Sequence, residues 1–247
     1  MKRTLFLIAV SAIGIVILCA QQAERGPDGG TTFWVHGVVV LPVQKMPFSA
    51  TDHIVWTRTL EDGSVIKTHL DAAVARDSAG RIYRESHTFA ADGSSETKFT
   101  GFSIYDPASH TRTSCSTGNH RCTVTNLFMP TTYTPTPAGP FDNGKRFLAR
   151  ESLGTNTLNG FEVTGTRETT TINTGVLGND RPLITTREFW YSPDLQVNLS
   201  ITRKDPREGT QLIQLDNLSR SVPPPERFEI PSGYIMENAR QNQQASK

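Results

Sequence analysis

Lysine and arginine nowhere form a patch in this sequence, and 25 of them against 24 acidic residues leave a formal charge of only +1. A nucleic-acid or anionic-membrane binder needs clustered cations, so neither partner is expected. G-x-S-x-G, H-E-x-x-H, G-x-G-x-x-G and the P-loop are all missing, which removes the usual anchors of hydrolases, zinc peptidases and nucleotide-binding enzymes. Sustained helical periodicity is also missing beyond the amino-terminal segment. Cysteine is scarce: there are three, and no C-x-x-C hook of the kind that zinc sites and redox pairs favour.

What the amino terminus does have is Lys2 and Arg3, an apolar stretch from Leu5 to Leu18, and the small residue Ala20. That order is the order of a secretory signal peptide. The stretch is shorter than the roughly 20 residues that span a bilayer, so residues 1–20 are expected to be removed after Ala20, leaving no transmembrane segment. Cys19 offers the alternative of a lipid anchor, although a bacterial lipobox wants a small residue where Leu18 stands. Losing Lys2 and Arg3 takes the formal charge from +1 to −1. Export places the chain in the periplasm or outside the cell, where Cys115 and Cys122, the two cysteines left, are expected to pair.

Residues 21–31, with Gly26, Pro27, Gly29 and Gly30, read as a flexible lead-in. From 32 to 235 the chain reads as one β-rich domain. Phe33 to Val43 is a β-branched strand ended by Pro42. Ile54–Leu60, Val65–Ala75, Arg81–Phe89 and Thr97–Tyr105 follow, separated by Asp62-Gly63, Asp77-Ser78-Ala79-Gly80 and Asp92-Gly93, and short turns of that kind make neighbours antiparallel. Residues 129–144 carry Pro130, Pro135, Pro137 and Pro140 and form a joint rather than a ladder. Longer strands come after it: Arg146–Leu153, Gly160–Ile172, Leu183–Tyr191, Gln196–Arg203 and Thr210–Ser219. Pro223-Pro224-Pro225 then forces an extended path from which Phe228, Ile230 and Tyr234 pin the chain end. Residues 236–247 read as a polar, disordered tail.

Around a two-residue turn at Gly118-Asn119, Cys115 and Cys122 fall opposite each other, within disulfide range. A metal site from Cys115, Cys122, His120 and His110 competes poorly with that bridge, because the spacing is too wide. Ser64 to Lys67 and Ser95 to Lys98 match S-x-x-K but enter strands, where residues three apart face opposite ways. His36, His53, His69, His87, His110 and His120 are scattered. Glu151, Glu162, Glu168 and Glu188 with Arg150, Arg167 and Arg187 read as cross-strand pairs on a solvated face rather than an acid–base array. Trp34, Trp56, Trp190, Phe161, Phe189 and Tyr191 read as core, or as the lining of a cavity under a curved sheet. Asn198 and Asn217 begin glycosylation sequons, which matter only in a eukaryotic secretory pathway.

Two resemblances follow. Pro47-Phe48-Ser49-Ala50, Thr57 to Gly63, Arg76 to Arg81 and Ile104-Tyr105-Asp106-Pro107 resemble exported bacterial proteins, frequent in acidobacteria, that have no assigned activity. Gly154 to Thr166, Glu188 to Leu195 and Phe228 to Tyr234 resemble the strand pattern of lipoprotein-carrier half-barrels. The second resemblance implies a sheet wrapped around a hydrophobic groove for acyl chains, and neither implies a catalytic residue or a cofactor.

The resulting expectation is an all-β, antiparallel, curved sheet or open half-barrel, with no catalytic residues, no metal and no cofactor. Its function is expected to be that of a noncatalytic exported envelope protein that holds a lipid or other apolar ligand, whose contact residues the sequence does not identify. The alternative is a structural or protein-interaction module using strand edges or loops such as Thr131 to Asn143 to engage another envelope protein.

Overall fold

In the segment Phe48–Thr59, residues Phe48, Ala50, Asp52 and Ile54 are buried and the residues between them are less so, the period of two that a strand with one covered face requires. Repeated along the chain, this pattern gives the strands β1 (Phe48–Thr59), β2 (Val65–Arg76), β3 (Ile82–His87), β4 (Ala90–Ala91), β5 (Phe99–Asp106), β6 (Thr111–Ser116), β7 (Arg121–Asn126), β8 (Gly139–Phe141), β9 (Arg146–Leu158), β10 (Phe161–Ile172), β11 (Leu183–Ser192), β12 (Val197–Asp205), β13 (Gly209–Ser219) and β14 (Ile235–Asn238). The computed structural model describes residues 37–91 and 97–238. These fall in one compact unit, Val35–Lys247. The expected signal peptide, Cys19, the lead-in, Trp34, His36 and Ser95 lie outside the described residues.

The strands form a single open sheet in the order β14-β7-β6-β5-β3-β2-β1-β13-β12-β11-β10-β9-β8, with β4 beside β2. Neighbours are antiparallel, except that β14 runs parallel to β7. The pairing of β1 with β13 joins the early strands to the late ones. Register shifts fall between β1 and β13, β9 and β10, β11 and β12, and β3 and β5, and bulges of this kind bend and twist a sheet. A single sheet has no second layer to pack on, so it curls around its own apolar face.

Two clusters result. The larger one includes Phe48, Ile54, Leu70, Val74, Ile201, Ile213 and Leu215 on the inner face. The smaller one includes Phe102, Cys115, Cys122 and Phe228, with Tyr83, Ile230 and Tyr234 packed on it. Here the chain end covers the outer face of the early strands. Cys115 pairs directly with Cys122 across β6 and β7, and their sulfurs are bonded.

The structure corrects the sequence reading in four places. Residues 37–43 form no strand. Val38 and Val40 are buried in the larger cluster, but side chains replace the ladder: the Val38 amide donates to Asp52 Oδ2 (3.0 Å) and Arg84 Nη2 donates to the Val38 carbonyl. A Cβ on Gly37 would collide with that same carboxylate and guanidinium. The turn before Cys122 spans Thr117 to His120, because pairing stops at Ser116 and Arg121 and His120 holds the left-handed conformation, φ 51°. The proline-rich joint contains β8, which lies against β9 as a sheet edge and so tolerates Pro140. The expected tail boundary at 235 gives way to β14, which is paired as far as Asn238, and Pro225–Phe228 form a 3₁₀ turn.

Arg76 ties these parts together. It is fully buried, and its Nε donates to the Met46 carbonyl (2.9 Å), its Nη1 to the Leu41 carbonyl (2.9 Å) and its Nη2 to the Leu195 carbonyl. Burial pulls the guanidinium down to about 10, with the Phe48 ring 5.1 Å away. Arg76→Met should therefore cost more than about 3 kcal/mol, because it leaves buried carbonyls without donors. Urea unfolding measures this, and an unchanged midpoint would contradict the role.

Candidate functional site

On the inner face, directly opposed residues form rows across the sheet. One row is apolar: Ile54 pairs with Ile213, Ile213 with Ile201, and Ile201 with Phe189. Two residues further along each strand, about 7 Å away, the next row on the same face is polar. Trp56 pairs with Gln211, Gln211 with Arg203, Arg203 with Arg187, Arg187 with Glu168 and Glu168 with Arg150. The apolar floor therefore ends in a band of guanidiniums.

Asp205, one further step along β12, organises that band. It is 3% exposed and Arg203 is 4% exposed. Asp205 Oδ2 accepts from Arg203 Nη2 (3.1 Å), Arg207 Nη2 (2.9 Å) and Thr185 Oγ1 (3.1 Å). Its Oδ1 accepts from the Arg207 amide (2.9 Å) and Nε (3.0 Å). Burial pushes the Asp205 carboxyl up, but the hydrogen bonds and charges of Arg207 and Arg203 outweigh it and hold the group below the ordinary carboxylate range. Burial lowers Arg203; Asp205 opposes that shift, and the Arg187 charge adds to it. Arg150 is held by Glu168 (Nε to Oε1, 3.0 Å), and Trp56 Nε1 donates to the Glu208 carbonyl in the β12–β13 turn (2.7 Å). A cleft of about 650 Å³ lies at the same strand ends, but Thr57, Ile184, Thr186, Lys204 and Thr210 among its walls belong by alternation to the opposite face of the sheet, with Asp205 and Arg207 of the turn beside them.

The proline-rich segment crosses above this face. The Met129 amide donates to the Tyr105 hydroxyl on β5 (3.2 Å), and Arg150 Nη2 on β9 donates to the Thr136 carbonyl (2.8 Å). Leu127 and Met129 pack on the larger cluster, whereas residues 130–138 are exposed. The run from Met129 to Thr136 spans at most about 25 Å. The interstrand steps from β5 to β9 would cover about 38 Å if the sheet were flat. The segment is thus a strap across the chord of a curled sheet.

The residues singled out from the sequence divide between the two faces. Arg150 and Glu168 pair on the inner side, while Arg167 bonds Glu188 (2.8 Å) and Glu151 (2.5 Å) on the outer; Glu162 lies further along β10, opposite Thr157. Phe161 is buried, and Phe189 and Trp190 are partly buried against the larger cluster. Tyr191 is exposed. Trp190 lies over Gly165, where a Cβ would come within 2.7 Å of the ring. His53 contacts Asp71 (2.5 Å) and His87 contacts Glu85 (3.0 Å), whereas His110 and His120 occupy turns. The Cys115 and Cys122 sulfurs are used by their bridge, which leaves the weighed metal site without thiolates. Ser64 bonds Asp62 in the turn ahead of β2. Asn198 lies in β12, and Asn217 in the irregular stretch of β13. Sequence reasoning missed Arg203, Asp205, Arg207 and Gln211. The available signal was the alternation Ile201, Arg203, Asp205, which carries charge into positions that face inward.

No family model matches the chain, and no curated protein matches it, so the acidobacterial resemblance gains no support. Solved structures similar to it include an uncharacterised conserved protein of Thermus thermophilus, at 10% identity, a TM-score of 0.41, and coverage of 78% of this chain and 90% of that one. LprF of Mycobacterium bovis is similar at 11% identity and a TM-score of 0.30, covering 77% and 91%. The lipoprotein LppX of Mycobacterium tuberculosis is similar at 14% identity and a TM-score of 0.27, covering 71% and 87%. Scores this low leave the functional reading to the site's own chemistry. One consequence of that chemistry concerns acid. A carboxyl held low contributes stability above its ordinary value near 4 and loses it as pH falls through the native value. Asp205→Asn should therefore be destabilised by several kcal/mol at pH 7, with the gap from wild type narrowing below about pH 4. Urea unfolding across pH checks this, and a gap independent of pH would contradict it.

Proposed function

We propose that this is a noncatalytic exported envelope protein that holds a lipid or other apolar ligand between its inner face and the strap. One observation carries the reading: the strap is tied at Tyr105 and Arg150, yet residues 130–138 stay exposed instead of packing into the sheet below. Covering segments normally bury their apolar side chains, and a strap that spans without filling suits an exchangeable guest. The partly buried apolar residues beneath and beside it, Leu127, Met129 and Phe189, offer contact to a chain without fixed polar geometry. Apolar sites of this kind recognise by shape.

The second reading, a protein-interaction module, draws on Tyr133 on the strap, at 71% exposure, and Phe128 just ahead of it, at 74%. Cross-linking in the native envelope separates the two by recovering, or failing to recover, one specific partner.

Protein purified from its native envelope should release lipid on organic extraction, detected by mass spectrometry, and should bind a fluorescent fatty acid saturably. Arg150→Ala removes the tie to Thr136 and should release that probe several-fold faster, a charged hydrogen bond being worth about 1.5 kcal/mol or more. Empty extracts together with no saturable binding would overturn the proposal.

A further inference from the structure

Two inner-face carboxyls, Asp52 and Asp205, are buried to a similar degree, 1% and 3% exposed, and are served very differently. Asp205 receives five donors spread over both of its oxygens. Asp52 receives two, and both reach Oδ2: the Val38 amide (3.0 Å) and Arg84 Nη1 (2.9 Å). Its Oδ1 is buried and has no partner among the described residues. A buried carboxylate needs donors at both oxygens, whereas a neutral carboxyl can carry its proton on Oδ1 and still accept both bonds at Oδ2, at the smaller cost of one buried hydroxyl. Ala72 and Leu215 stand opposite Asp52 on β2 and β13, with Ala50 and Ile54 beside it on β1. Arg84 on β3 is the charged group that faces it, and His53, next along β1, points to the other face and contacts Asp71. Burial pushes the Asp52 carboxyl up, and the Arg84 charge, the Val38 amide and the His53 charge offset only part of that rise.

What buries Asp52 is the covering segment 37–43. Gly37 comes so close that a Cβ there would collide with Oδ2, and Val38 and Val40 are buried in the same cluster. Lifting this end of the segment returns the carboxyl to water. The other end is tied by different groups, Arg76 Nη1 to the Leu41 carbonyl (2.9 Å) and the Lys45 amide to the Ser78 carbonyl (2.9 Å), and Arg76 stays charged until the pH nears about 10. We propose that Asp52 is a pH-sensitive latch: residues 37–40 lie closed over the inner face when it is protonated and open when it ionises, hinging on the tied end at residues 41–45. The closed form holds the proton more tightly than the hydrated open form. Closure is therefore favoured at low pH and weakens as pH rises from the ordinary aspartate value of about 4 through the closed-form value. The latch works in the opposite direction to Asp205, whose contribution is lost as pH falls, and it sets how far the inner face over β1 to β3 is open whatever that face holds.

The test is hydrogen exchange of the full mature chain from about pH 4.5 to about pH 8, above the range in which Asp205 titrates, with rates corrected for their intrinsic pH dependence. Protection of the Val38 amide should fall about threefold or more across that range, while the Lys45 amide, on the tied end, keeps its protection. Asp52→Asn, which copies the neutral form, should hold Val38 at its low-pH protection throughout. A second readout needs no variant: the Asp52 carboxyl carbon, followed by NMR in ¹³C-labelled protein, should titrate above the ordinary aspartate value. Val38 protection that stays constant or rises with pH would overturn the latch, and so would a carboxyl that titrates at or below the ordinary value. Equal loss at Val38 and Lys45 would show loosening of the whole cover and overturn the hinged latch. A pH dependence that survives in Asp52→Asn would assign the effect to another group.

Discussion

A single sheet with no opposing layer has to find cover for one whole face, and most of what is distinctive in this protein follows from that constraint. Apolar surface left open to water costs about 25 cal/mol for each Å², so the sheet bulges, curls and draws loops and termini onto itself. Residues 37–43 cover the inner face over β1 to β3. The segment just before β14, Phe228 to Tyr234, covers the outer face of the early strands. The strap covers what remains, and covers it incompletely.

Irregular chain laid over a face brings backbone groups that no ladder can satisfy, and arginines meet that demand here. Arg76 serves three carbonyls, two from residues 41–46 and one from Leu195, far away in sequence. Arg84 serves the Val38 carbonyl and the Asp52 carboxylate, and Arg150 serves the strap. Long side chains with several donors suit this work, since each can bridge strand and cover at once. Arg203 belongs to the same set by position, with its Nη2 on the Asp205 carboxylate.

How much of this was legible in the sequence depended on the range of the interactions involved. Strand positions in the later half were readable because alternation and turn residues are local: Leu183 to Tyr191 and Thr210 to Ser219 differ from β11 and β13 only at their ends. The disulfide was legible because Cys115 and Cys122 share one hairpin. The segment around Val38 was misread as a strand because its β-branched residues are indeed buried, while its backbone partners, Asp52 and Arg84, lie on strands the local sequence does not reveal. The guanidinium band is half visible in the sequence: Arg150, Arg187 and Glu168 stand out there, but local alternation reads them as a solvated face. Their inward direction depends on bulges and register, and those are set by pairing across the whole sheet.

The central claim is that the inner face under the strap receives an apolar chain. A fatty acid carrying a diazirine near its methyl end, photolysed in complex with the protein and mapped by peptide mass spectrometry, tests it most directly. Labels should fall on Leu127, Met129 and Phe189 and be suppressed by excess dodecanoate. Labels confined to the outer-face cluster around Phe228 and Tyr234, or spread without suppression, would contradict it.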